Sequence, residues 1–164
     1  MTTERRQDGK TEGAGATPFR HSVIPSIGRV LGIDWGERRI GVALSDESRS
    51  IAQPLTTLTR RIGKRFPMRD LLALAEQHAV AGVVVGLPLE ADGSDGEPAA
   101  AARALARDIG RVAALPVTLW DERMSTARAL KTVHELGGST RGRKADVDAM
   151  AAAILLQHYL DANR

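Results

Sequence analysis

The run "AGVVVGLP" at residues 81–88 constrains the fold of this chain more than any other stretch. It is apolar without alternation and is stopped by Gly86 and Pro88, which predicts a central strand buried on both faces. Such a strand needs a helical layer above and below it, and helix signals flank it. Before it, "FPMRDLLALAEQHAV" places Met68, Leu71, Leu72, Leu74, Ala75 and Ala79 on a helical stripe. After it comes the loop "LEADGSDGEP" and an Ala-rich helix from about Glu97 to Val112. A layered α/β domain follows.

Upstream, "VLGIDW" reads as a buried strand, "ERR" as a turn and "IGVALSD" as its antiparallel partner; "PLTTLTR" extends this meander as an edge strand. Downstream, "LPVTLWDER" is a fifth strand ending in acids. "MSTARALKTVHEL" is a helix with Ser125 as its cap and Gly137 and Gly138 as its stop, and "DVDAMAAAILLQHYLDA" is a last helix. The order β-β-β-α-β-α-β-α-α predicts a mixed five-stranded sheet. Three meandering strands are joined by two parallel ones through helical crossovers, with helices on both faces. This is the topology of the ribonuclease H-like fold. Residues 1–28, rich in Gly, Thr, Ser and charge, read as a disordered N-terminal tail, and 29–164 as one domain.

Composition narrows the chemistry. The 164 residues contain no cysteine, which excludes disulfides, thiolate zinc sites and a thiol nucleophile. His21, His78, His134 and His158 show no ligand spacing, so a metal site must be built from oxygen, which suits Mg²⁺ or Mn²⁺. Aromatic residues are only 3%, which argues against a platform of stacked bases. The net charge is +3, but residues 1–29 hold five Lys or Arg and three Asp or Glu and so supply +2 of it. The body is nearly neutral, and total charge is a weak pointer to an anionic partner. No stretch is apolar for long enough to span a bilayer and no secretory signal stands at the N-terminus, so a cytoplasmic protein is expected.

Carboxylates at the ends of regular elements carry the functional signal. Asp34 lies in an apolar strand, where an unpaired charge costs several kcal/mol. Asp121 and Glu122 end the fifth strand, and Asp146 and Asp148 open the last helix. In a sheet of this order the three ends converge at one edge, where a divalent cation relieves the repulsion and supports phosphodiester hydrolysis. Each acid also has a plain structural role open to it: Asp34 can cap the turn at Gly36, Asp121 or Glu122 can pair with Arg123, and Asp148 can serve the helix dipole. Gly86, Gly93 and Gly96 frame a loop whose amides can cradle a phosphate, although it lacks a Walker ending. The basic loop "STRGRK" is suited to steering a phosphate backbone, or is simply solvated.

Four blocks, "LGIDWGERRIGVALSD", "VVVGLPLEADGSDGEPA", "DERMSTARA" and "KADVDAMAAAILLQHYLD", resemble the YqgF/RuvX family in order and spacing from Val30 onward. The resemblance implies a nuclease with Asp34, Glu122 and Asp148 as catalytic and metal-binding acids; the family pattern contains both acids of "DE", so Asp121 stays open beside Glu122. Trp35 is bulkier than the residue expected after the first acid. Arg123, Arg141, Arg143 and Lys144 are the candidate nucleic-acid contacts. The expected activity is metal-dependent 5′-end processing of precursor 16S rRNA, or resolution of four-way DNA junctions by a two-fold dimer; the chain is expected to be a monomer or homodimer. Two further readings stand beside these. One is a non-catalytic RNA-binding ribosome factor. The other is an actin-like ATPase, which "GIDWGERRIGVALSD" also resembles but which needs two such domains.

Overall fold

The computed structural model describes residues 23–61, 63–123 and 144–164, with the backbone alone at 144–146. β1 (Arg29–Asp34), β2 (Arg39–Ser45) and β3 (Ala52–Thr59) form an antiparallel meander. α1 (Met68–Gln77) leads to β4 (Val80–Leu87), and α2 (Glu97–Ala113) leads to β5 (Val117–Asp121). The last element is α3 (Lys144–Ala162). Sheet order is β3-β2-β1-β4-β5, with β4 parallel to β1 and β5 parallel to β4. The mixed sheet is the one that the order of sequence signals predicts. The helix expected over 124–136 lies outside the described residues.

Alternation along the central strands divides the core into two layers. Leu31 and Ile33 of β1, with Val83 and Val85 of β4, pack with Leu71 of α1 and with Leu105 and Ile109 of α2. Val30 and Val84 face the other way, onto Ala152, Leu155 and Leu156 of α3. This second layer combines Ala151, Ala152 and Ala153 with Leu155, Leu156 and Leu160. A Cβ on Gly32 would lie 2.7 Å from the Cβ of Leu156, so glycine there allows α3 to approach the sheet. Burying Leu155 and Leu156 completely is worth about 1.5–3 kcal/mol each.

Packing begins earlier than the expected tail boundary at 28. Ile24 is buried, and it fills the space above Gly82 where a side chain on β4 would otherwise project. The slot is made by a glycine distant in sequence, so local composition gives no sign of it. Among the described residues, no helix is long and apolar enough to cross a membrane.

Candidate active site

β1, β4 and β5 run parallel, so their C-terminal ends reach the same sheet edge. Asp34 is the last residue of β1 and is only 4% exposed. Because Val30 and Gly32 face α3, alternation turns Asp34 to the α3 side as well. Its partner on β2 is Gly41, and the β4 residue next beyond the Ile33–Val85 pair is Gly86. Both sheet neighbours of Asp34 are thus glycines, for two different reasons. A Cβ on Gly41 would collide with the backbone oxygen of Asp148, so this glycine lets the first turns of α3 settle onto β2. A Cβ on Gly86 would take the place of Oε1 of Glu122 and press on Leu155.

Glu122 lies one residue beyond β5. Its N–H donates to the carbonyl of Leu87 at 3.2 Å, which continues the β4–β5 ladder past the strand end. Its carboxylate lies over Gly86 on the side of the sheet that Asp34 faces, and the residue is 4% exposed. Asp121 points outward instead. Its side chain is 37% exposed and accepts Nε of Arg123 at 2.9 Å, Nη2 at 2.7 Å and the Arg123 backbone N–H at 2.9 Å. Strand alternation makes the division: adjacent residues face opposite ways, so only one of the two acids can turn inward.

Asp148 sits near the start of α3, with its side chain 12% exposed and Oδ2 2.9 Å from Nε of Arg39. Arg39 opens β2 two residues before Gly41, so it shares the α3 side. Asp34, Glu122 and Asp148 therefore stand on one face of one sheet edge. Among the described residues, no three His, Asp or Glu side chains are grouped tightly enough to hold an ion. Asp148 is drawn to Arg39, and the side chain of Asp146 lies outside the described residues. The donor set nonetheless fits a hard cation. It is all carboxylate oxygen, two of its members are buried, and Gly86 leaves the space that Glu122 needs to face inward.

Of the expected basic contacts, Arg123 is the one whose side chain is described. It is locked to Asp121, and Nη1 lies 2.9 Å from where a Cβ on Gly93 would be. The hydrogen bonds that Arg123 donates to Asp121, and then the charge of that carboxylate, hold the Arg123 proton more tightly than in a free guanidinium. Arg141 and Arg143 lie outside the described residues, as does the side chain of Lys144. In the loop after β4, whose glycines suggest a phosphate cradle, four of the amides are used internally. Leu89 N donates to Leu87 O at 3.0 Å, Glu90 N to Ser94 O at 3.0 Å, Gly93 N to Glu90 O at 2.9 Å, and Ser94 N to Asp92 Oδ1 at 2.9 Å. Gly93 is required there by its φ of +86°. Hydrogen bonds from Ser94 also hold the Asp92 carboxyl below its usual range.

Sequence reasoning missed Arg39 and Gly41 as parts of the candidate site, and gave Gly86 a different part. Arg39 reads as a turn residue, Gly41 as an ordinary strand residue and Gly86 as a strand stop framing the next loop; their roles depend on cross-strand register, which a single sequence does not display.

A mixed five-stranded sheet of this order, with helices on both faces and carboxylates at the ends of its central strands, defines a ribonuclease H-like α/β protein. The fold is similar to that of "T. thermophilus RuvC in complex with Holliday junction substrate", with a TM-score of 0.53 at 16% identity over 83% of this chain and 95% of that one. The chain belongs to the RuvX family: the family model described as "RuvX: Holliday junction resolvase" matches residues 28–162. Among its relatives, a protein of Rhodospirillum rubrum is 47% identical over 142 residues, covering 85% of this chain and 86% of the relative. One of Ruegeria pomeroyi is 40% identical over 145 residues, covering 87% and 92%. Both carry the name "Putative pre-16S rRNA nuclease".

Proposed function

We propose that this chain is a cytoplasmic nuclease that hydrolyses phosphodiester bonds in structured nucleic acid, with the 5′ end of precursor 16S rRNA as its substrate. Asp34, Glu122 and Asp148 are its site carboxylates. One observation carries the reading: two acids, each 4% exposed, share one face at the ends of β1 and β5, with only glycine between them on β4. Buried acids gathered at one end of a sheet are a mark of functional sites. The names of the relatives, and the match to the family over nearly all the described chain, support the same assignment.

Mg²⁺ or Mn²⁺ held by Asp34, Glu122 and Asp148 would supply charge stabilisation at the phosphoryl oxygens. The chain's own residues prepare that place. Gly86 admits the carboxylate of Glu122, Gly41 admits the backbone of α3, and Arg39 neutralises Asp148 in the absence of a cation. Arg123, tied to Asp121, stays at the rim beside the loop after β4.

The test is cleavage by the purified protein of a precursor 16S rRNA fragment and of a four-way DNA junction, in Mn²⁺ and in EDTA. Cation-dependent cutting of the RNA supports the proposal. Cation-dependent cutting of the junction alone, by a two-fold dimer, transfers the site to the second reading, which the family description favours. Binding without cutting of either would leave a non-catalytic RNA-binding factor. A cation that joins these acids also stabilises the fold, by about 2.7 kcal/mol at 100 times its Kd. Melting curves in Mn²⁺ and EDTA should therefore separate.

A further inference from the structure

The connection from β3 to α1 brings a second charged feature to the same sheet edge. β3 ends at Thr59, paired with Arg39, so the chain from Arg60 onward emerges beside the β1–β2 turn. The N–H of Arg60 donates to the carbonyl of Arg38 at 2.8 Å and ties the two loops together. Over residues 60–70 five Lys or Arg stand against a single acid, Asp70. Arg38, Arg61, Lys64, Arg65 and Arg69 are all exposed. Their side chains make no ion pair with any described carboxylate.

Elsewhere most described arginines are engaged. Arg103 pairs with Asp95 at 2.6 Å, Arg123 with Asp121 at 2.7 Å, Arg164 with Asp161 at 3.0 Å, and Arg49 donates to the carbonyl of Gly28 at 2.7 Å. Cations crowded within a Debye length of roughly 8 Å repel one another, and a surface that leaves them without counter-charges is suited to an anionic partner. The loop is also anchored to the candidate site. Trp35, the residue after Asp34, stacks on Phe66 with ring centroids 6.3 Å apart, and the guanidinium of Arg60 lies 5.2 Å over the Trp35 ring. Alternation sends Trp35 to the α1 side of the edge and Asp34 to the α3 side.

We propose that Arg38, Arg61, Lys64, Arg65 and Arg69 form the surface that grips the phosphodiester backbone of the nucleic acid. They hold the strand on the α1 side while the carboxylates act across the edge. The inference rests on the nuclease reading for its substrate class, and it assigns the grip to residues of the β3–α1 connection rather than to the basic run at 141–144. Each phosphate contact contributes about 0.7–0.9 to the slope of log K against log salt.

The test uses the full chain carrying Arg61→Ala, Lys64→Ala and Arg65→Ala together. Binding to a fluorescein-labelled RNA spanning the 5′ end of 16S rRNA is followed by anisotropy across a salt series in EDTA. The expected result is a slope smaller than wild type by about 2, with Arg61→Lys plus Arg65→Lys keeping the wild-type slope. An unchanged slope in the triple variant overturns the proposal, as does a wild-type protein that binds the RNA without salt dependence. Should the triple variant fail to fold, Arg65→Ala alone should lower the slope by about 0.8. Cleavage by the wild-type protein separates the two readings: loss of the nuclease reading shows as RNA that is bound but not cut in Mn²⁺, whatever the slope does.

Discussion

At the far end of the sheet, where β2 turns into β3, every prominent polar group is spent on holding the chain together. Asp46 accepts hydrogen bonds from the hydroxyl of Ser48 and from the N–H groups of Ser50 at 2.8 Å and Ile51 at 2.9 Å. Gln157 of α3 accepts from Ala52 N at 2.8 Å and donates to Ser50 O at 3.0 Å, which pins the helix to the β2–β3 turn. The hydroxyl of Ser45 accepts from Val30 N and passes its own proton to Asp46 O, both at 2.9 Å. At the near end the same kinds of residue are arranged differently. Asp34 and Glu122 are buried on one face, Asp148 faces a single arginine, and a run of exposed cations has no described carboxylate opposite it. One end uses charge to define a turn. The other gathers buried acids and exposed cations in one place.

The largest effects expected from this contrast are on activity. Asp34→Asn and Asp148→Asn keep side-chain shape but lose the charge that a cation needs, and each should lower cleavage of the precursor RNA by more than about 100-fold, since even partners one step removed from a metal cost about 10–100-fold. Asp46→Asn, at the other end, should leave the cleavage rate near wild type. Equal losses at both ends would erase the distinction.

The two glycines beside Asp34 sharpen it further. Gly41→Ala forces the backbone of α3 away from β2 and should cost about 1–3 kcal/mol of stability or more, read by urea unfolding. Gly86→Ala meets chiefly the end of the Glu122 side chain, with Leu155 behind it. It should reduce cleavage by a larger factor than its loss of stability explains. If both variants lose only stability, Gly86 is a packing residue and not part of the site.

Arg39→Gln gives a smaller change with a distinctive sign. Removing the guanidinium leaves Asp148 without its ion pair and should cost about 1–2 kcal/mol in EDTA, less than a fully buried pair because Arg39 is partly exposed. Added Mn²⁺ should narrow this deficit, because the cation replaces the lost charge. A deficit that is the same in both conditions would mean that Asp148 serves Arg39 alone.

The smallest effect is on the pH dependence of stability. Hydrogen bonds, first from the Ile51 N–H and then from Ser48, hold the Asp46 carboxyl below its usual range. A carboxyl whose folded pKa is depressed adds stability above its unfolded value, near 4, and loses it as pH falls through the folded value. Asp46→Asn should therefore flatten the acid limb of the stability profile below about pH 4. An unchanged limb would show that Asp46 does not couple to folding.

The fold was readable because its signals are local. The unbroken apolar run of β4, the short apolar stretches of β1 and β2 and the stripe of α1 each declare an element within its own residues. The acids of the candidate site could be named from the sequence, but not their arrangement. Nothing in "WDER" tells which acid turns inward; that follows from where β5 stops against Leu87 and from the absence of a side chain at Gly86. Arg39 is hidden in the turn motif "ERR" because its partner Asp148 lies over a hundred residues away. The cations at 60–69 escaped notice for a similar reason. Only the return of β3 to the edge of Asp34 brings them next to the site.

On the proposed function, the inward acid at the end of β5, and not its outward neighbour, is the cation ligand beside Asp34 and Asp148. Mn²⁺ binding, followed by electron paramagnetic resonance on wild type, Glu122→Gln and Asp121→Asn, tests it directly. Asp121→Asn should bind Mn²⁺ with wild-type affinity, since its carboxylate is committed to Arg123, while Glu122→Gln should weaken binding by more than about 10-fold. The reverse order, or equal binding by all three proteins, would contradict the account.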